Sequence, residues 1–306
     1  MADFPDFERE FERVEAQFKQ AGDQFKQASD EIDRKAGRRL LPAIGTGLVL
    51  GAIIVVGMFF KTVFAIFAVV FISAAAFELA TALRDSGRRV PRIPLVILTA
   101  AIVAAAYWLG PWWQWVAFLM SVAILIVWRL AELAVPRLRA DARTVLADIG
   151  AGAFVLGYVS FLASFCVLVF RFDDGQWWLL GMLIVVVLID TAAYAVGRTL
   201  GRHPMAPRIS PNKSWEGFAG AAGAALISGC LVAWLLLGQP WWVGIPFGLL
   251  FLITGTVGDL AESIIKRDLG VKDMSSWLPG HGGILDRIDG IILSTAPLYA
   301  FYLLAH

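Results

Sequence analysis

The chain has 306 residues, 58% of them hydrophobic and 17% charged, with a formal net charge of +1 and a mean hydropathy of +0.71. Such a composition excludes an ordinary soluble domain and fits an all-α, polytopic integral membrane protein. The small net charge excludes nothing by itself, because the charges are segregated along the sequence.

The first segment, 1–38, reads as a cytoplasmic helical arm. Phe4, Phe7, Phe11, Val14, Phe18, Ala21, Phe25, Ala28 and Ile32 recur at steps of three and four between Glu, Gln, Lys and Asp, which predicts an amphipathic helix interrupted at Gly22. It suits a coiled coil with a second subunit, a helix lying on the membrane or on the protein's cytoplasmic face, or a solvated arm; its acidic excess argues against tight binding to anionic lipid. The start, Met1-Ala-Asp-Phe-Pro-Asp-Phe-Glu, lacks the basic stretch and short apolar run of a cleavable signal peptide. Insertion is therefore expected to use the membrane spans themselves.

After Arg38-Arg39 come apolar runs of about twenty residues, each long enough to cross about 30 Å of hydrocarbon. Nine are expected, at 40–60, 62–83, 93–110, 112–131, 149–170, 177–197, 217–237, 241–265 and 290–305. The organisation expected is an arm at 1–38, amino-terminal spans at 39–148, and a catalytic region at 149–306.

With the amino terminus in the cytoplasm, the even-numbered connections carry Arg84, Arg88, Arg89 and Arg92; Arg129, Arg137, Arg139 and Arg143; Arg198, Arg202, Arg208 and Lys213; and Lys266, Arg267, Lys272 and Arg287. The odd connections carry only Lys61 and Arg171, and this asymmetry orients the chain by the positive-inside rule. Trp112, Trp113, Trp177, Trp178, Trp241 and Trp242 open helices on the opposite side, where an interfacial aromatic belt is expected. Cys166 and Cys230 each sit within an apolar run, so packing is expected and neither a disulfide nor C-x-x-C metal spacing.

Ionisable residues inside apolar spans are costly and point to function. Asp190, Asp259, Glu262 and Glu78 qualify. Asp259 and Glu262, three apart, share a helix face that Ser263 and Lys266 continue toward a loop. Residues 263–289 contain four basic and four aspartate residues around Pro-Gly-His-Gly-Gly, the ingredients of a site that handles phosphates through a divalent metal. Asp259 and Asp286 form the expected metal pair, the first from within the membrane and the second from the segment returning to it. Gly282 and Gly283 let backbone N–H groups approach a phosphate, and His281 suits either a phosphate contact or proton transfer.

A second constellation occupies Asp190 to Gly217. Asp190, Tyr194 and Gly197 fall at helical spacing; Arg198, Arg202, His203, Arg208 and Lys213 make a cationic loop; and Ser210, Asn212 and Ser214 stand near the next helix start, a favourable place for an anion. It reads as a triphosphate clamp.

Ser263, Lys266-Arg267, Lys272-Asp273, His281-Gly282-Gly283, Asp286-Arg287 and Asp289 together resemble, without gaps, the signature of the phosphatidate cytidylyltransferases, also called CDP-diacylglycerol synthases. Asp190, Tyr194, Gly197 and Ser210-Pro211-x-Lys213-Ser214 resemble the family as well. The resemblance covers about residues 150–305, the earlier helices only in general character, and not the arm. It implies a homodimer in the cytoplasmic membrane that joins CTP and phosphatidic acid into CDP-diacylglycerol and pyrophosphate. It also implies magnesium with potassium as a second metal, held by Asp259 and Asp286. The catalytic set expected is Asp259, Asp286, Lys266, Arg267, His281 and Arg287. Substrate contacts are expected from Asp190, Tyr194, Arg198, Ser210, Asn212, Lys213, Ser214, Ser263, Lys272, Asp273, Gly282, Gly283 and Asp289. The expected partners are the two substrates and the bilayer, and no nucleic acid. A lipid or ion transporter and a CTP-dependent lipid-alcohol kinase are the alternatives; the D-G-x-x-A-R block of the CDP-alcohol phosphotransferases is not found.

Overall fold

The computed structural model describes residues 51, 56–207, 209–271, 273–275, 277 and 282–306. The arm, nearly all of the first expected span, and Arg208, Lys272 and His281 lie outside the described residues. From Val56 onward the described residues form one compact unit.

Eight helices among them are long and apolar enough to cross a membrane: α1 (Lys61–Asp85), α2 (Arg92–Leu109), α3 (Pro111–Glu132), α4 (Ala142–Phe170), α5 (Gly175–Leu200), α6 (Trp215–Leu236), α7 (Trp241–Asp268) and α8 (Leu285–Ala305). They match the second to ninth expected spans in order. Helix is the natural outcome of such runs, because hydrocarbon offers backbone N–H and C=O groups no other partner. The bounds differ most at α4 and α8, which begin seven and five residues earlier than the apolar runs. Those extra turns carry polar residues the protein interior satisfies, among them Asp148 and Asp286.

Small residues set how closely the helices cross, as is usual in membranes. Where α6 meets α7, a Cβ on Gly229 would lie 2.9 Å from the Gly248 Cα, and one on Gly248 would collide with the Ala225 carbonyl. Gly217 brings α6 onto α5, its Cβ position being 3.2 Å from the Gly197 Cα, and Gly258 brings α7 to within 2.6 Å of the Asp289 carbonyl on α8 by the same measure. The polar ends of α5, α6, α7 and α8 are drawn together by these crossings.

Two further features hold the ends of the bundle. Arg129, buried in α3, donates from Nη2 to Asp148 Oδ2 at 2.9 Å and from Nε at 3.1 Å, while the Arg89 backbone N–H donates to Asp148 Oδ1 at 3.0 Å. Asp148 thus ties α3, α4 and the segment before α2 together, and gives Arg129 a structural place beyond the charge asymmetry. At the opposite end Lys61 donates to the Phe172 carbonyl at 2.6 Å.

Trp178 departs from the expected aromatic belt. Trp112, Trp113, Trp177, Trp241 and Trp242 are exposed, but Trp178 is 1% exposed and packs against Phe247 and Tyr302. Its indole donates to Asp174 Oδ2 at 2.9 Å, and Tyr302 donates to Oδ1 at 2.7 Å. Burial opposes ionisation of Asp174, but these two donors, its own backbone N–H and the nearby His306 together hold the carboxyl below the usual carboxylate range. Helix phase, invisible in the doublet Trp177-Trp178, turns one indole outward and the other in.

The fold is not purely helical. Pro204–Ala206 (β1) and Ser210–Ser214 (β2) pair antiparallel with an irregular register, between α5 and α6. Cys166 and Cys230 are free and half-buried.

Candidate active site

A cavity of about 310 Å³ opens between α5, the β1–β2 hairpin, α6 and α7. Asp190 and Tyr194 line it from α5, Ser210, Asn212 and Lys213 from β2, Ser214 from the end of β2, and Asp259 from α7. The hairpin brings Lys213 over the cavity, where Nζ donates to Asp259 Oδ2 at 2.7 Å. Ser214 caps α6, its Oγ accepting from Gly217 N at 3.1 Å, which leaves its O–H able to donate. Tyr194 and Arg198 form an exposed pair, with Arg198 Nη1 donating to the tyrosine oxygen at 2.5 Å and Cζ 5.8 Å from the ring centre.

The hairpin itself is pinned by a residue the sequence reading passed over. Glu216, in the first turn of α6, accepts from the backbone N–H groups of Arg202 at 3.1 Å and His203 at 3.2 Å, and its Oε1 lies 2.5 Å from His203 Nδ1. His203 is thereby held by a carboxylate at the edge of the loop. The visible signal was an acid at the start of a helix that follows a glycine- and proline-containing loop.

Two turns beyond Asp259, Lys266 joins α7 to α8. Its Nζ lies 2.6 Å from Glu262 Oε2 and 2.8 Å from Asp286 Oδ1. Asp286 also accepts from Gly283 N at 2.7 Å and from Met274 N at 3.2 Å. Gly282 has φ +79°, a conformation side chains disfavour, and a Cβ there would come 2.8 Å from Asp286 Oδ2. Asp273 is exposed beside it, Ser263 is half-buried on α7, and Asp289 is half-buried on α8. Arg267 and Arg287 are exposed; Arg267 Nε makes a long contact to the Ile209 carbonyl at 3.4 Å.

The two constellations meet at Asp259. A Cβ on Gly290 of α8 would lie 3.3 Å from its Oδ1, and Asp190, Asp259 and Asp289 are near enough to act on one another's charge. Glu262 Oε1 is buried without a hydrogen-bond partner. Carboxylate oxygens of this kind fit a hard divalent cation. No group of three His, Cys, Asp or Glu side chains that could hold a metal occurs among the described residues. One or two carboxylates completed by phosphate oxygens and water is the arrangement magnesium commonly adopts. Both oxygens of Asp286 have protein donors, and among the described residues Lys213 donates to Asp259, so Asp259 could serve as a ligand through its other oxygen.

Acids paired with lysines beside a cavity whose lining is partly polar and largely apolar suit binding of a polyphosphate beside a lipid. A family model described as "Cytidylyltransferase family" matches residues 38–305. The phosphatidate cytidylyltransferase of Mycobacterium bovis is 38% identical over 266 residues, 85% of this chain and 87% of that protein. Its Mycobacterium leprae counterpart is 36% identical over 281 residues, 85% of this chain and 86% of the relative. The phosphatidate cytidylyltransferase of Brucella suis is 44% identical over a shorter 154 residues, 49% of this chain and 55% of that protein.

Proposed function

Because the chain belongs to the cytidylyltransferase family, we propose that it transfers CMP from CTP to phosphatidic acid, giving CDP-diacylglycerol and pyrophosphate. A phosphate oxygen of phosphatidate attacks the α-phosphorus of CTP in line with the departing pyrophosphate. The bond formed is O–Pα and the bond broken joins Pα to the bridging oxygen of pyrophosphate, which leaves with the electron pair. A phosphate monoester is largely dianionic near pH 7, its second pKa being about 6, so the attacking oxygen needs no strong base. His281 then serves as a phosphate contact. Positioning and neutralisation of charge carry such a step.

Lys213 is the observation that carries this reading: an ammonium group at the cavity, 2.7 Å from Asp259, where two constellations far apart in sequence meet. In the reaction Lys213, Lys266, Arg267 and Arg287 face the phosphates, and Asp190 and Ser210 shape the cavity. Asp259 and Asp286 would hold magnesium, with potassium as a second ion. Bound magnesium supplies neutralisation of the triphosphate and of the pyrophosphate as it departs. Phosphatidate reaches the site sideways from the cytoplasmic leaflet, and the protein works as a homodimer in the cytoplasmic membrane.

Detergent-purified protein given CTP, phosphatidate and magnesium is expected to release pyrophosphate as it forms CDP-diacylglycerol. Asp286→Asn should abolish both while the protein stays folded, and chelation of magnesium should do so reversibly. Full turnover of the variant with an unchanged magnesium requirement would remove Asp286 from the mechanism.

A further inference from the structure

Glu78 lies toward the end of α1, only 2% exposed, and does not line the cavity. Its Oε1 accepts from Ser275 Oγ at 2.5 Å and from the Ile284 backbone N–H at 3.0 Å, and its Oε2 accepts from Leu285 N at 2.9 Å. The donors stand on either side of the signature loop, residues 276–283, of which 277, 282 and 283 are described. Ile284 and Leu285 supply N–H groups at the start of α8, where a helix leaves donors without intrahelical partners and a carboxylate meets the positive end of the dipole.

The neighbouring residue completes the grip. Ser275 Oγ accepts from Trp277 N at 3.2 Å, the Trp277 ring stacks on Phe77 with centroids 5.6 Å apart, and the Arg92 guanidinium lies 5.4 Å from the Phe77 ring centre. Gly283 stands between two carboxylates: a Cβ there would come 2.9 Å from Glu78 Oε2 and 3.2 Å from Asp286 Oδ2. Any shift of the loop relative to α1 therefore moves the Gly283 N–H that Asp286 accepts, and with it the carboxylate shared by Lys266.

We propose that Glu78 is a positioning residue for the transfer reaction. It fixes where the signature loop ends and α8 begins, and so where Asp286 presents its carboxylate to the site. The idea rests on the reaction proposed above. It assigns a function to an acid from the amino-terminal helices, which no motif of the catalytic region includes.

The test uses the full-length protein with Glu78→Gln, Ser275→Ala and the double variant. Glutamine keeps the shape but offers one acceptor oxygen in place of two. Glu78→Gln is expected to lower kcat by about tenfold or more, since misplacing a catalytic group by about 1 Å costs up to about a hundredfold. KM for CTP should stay within about twofold, a split that general loss of folded protein would not produce. Hydrogen exchange in peptides covering 282–288 should rise, while peptides of α5 and α6 keep their protection. Ser275→Ala should act in the same direction more weakly, and the double variant should be no worse than Glu78→Gln, because the two groups share one contact. Unchanged exchange around 282–288, or unchanged kcat once that exchange has risen, would overturn the proposal. Should Glu78→Gln fail to fold, the same two readouts on Ser275→Ala decide in the same way. A parent protein that makes no CDP-diacylglycerol would instead refute the reaction, and exchange alone would still decide the anchoring.

Discussion

Lys266 illustrates how much a single side chain holds in this site. It is 18% exposed and sits between Glu262 and Asp286, whose side chains are each 3% exposed. Removing one member of a buried ionic group leaves the others uncompensated, at a cost of about 3–5 kcal/mol. Lys266→Met should therefore lower the thermal midpoint in detergent markedly as well as activity. Adding Glu262→Gln should recover much of the stability and none of the turnover. Equal stability of parent and single variant would mean that Lys266 is not the bridge between α7 and α8. The acids here were legible in the sequence because hydrocarbon penalises them wherever they lack a purpose. Lys266 beside Glu262 was legible too, one turn along the same helix, but the long-range partners were not, since Lys213 reaches Asp259 and Glu78 reaches Leu285 only after distant helices have packed.

Elements show the same division. Apolar run length marked eight described helices in the right order, because runs of about twenty residues suit helices that satisfy their own backbone in a bilayer. The β1–β2 hairpin was missed: Pro204-Met-Ala-Pro-Arg-Ile-Ser-Pro-Asn-Lys-Ser carries three prolines and no alternating apolar pattern, so it reads as loop. The residues before the hairpin are tied by Glu216, which α6 supplies. Glycine spacing was visible without its consequence, which is the approach of α6 to α7. Gly248→Leu should force these helices apart, destabilising the protein by about 1–3 kcal/mol and reducing activity through the displaced α7. An unchanged melting profile, followed by tryptophan fluorescence in detergent, would contradict that packing.

At the scale of the molecule, one end gathers nearly all of the chemistry. The charge asymmetry supports the proposal that this end faces the cytoplasm. In a background lacking Cys166 and Cys230, a cysteine at position 202 should react with an impermeant maleimide only in inside-out vesicles, and one at position 238 only in right-side-out vesicles. The opposite pattern would invert the protein and put the site outside the cell. Deletion of residues 2–36 should leave catalysis intact, as the family match begins at residue 38; loss of activity in a well-folded truncation would give the arm a catalytic part.

CTP labelled with radioactive phosphorus at the α or the γ position separates the reaction proposed here from its neighbours in a single experiment. Purified protein with phosphatidate and magnesium should move the α label into a chloroform-soluble product and leave the γ label in pyrophosphate. Transfer of the γ label to lipid, or of neither, would contradict a cytidylyl transfer at the site where Lys213 meets Asp259.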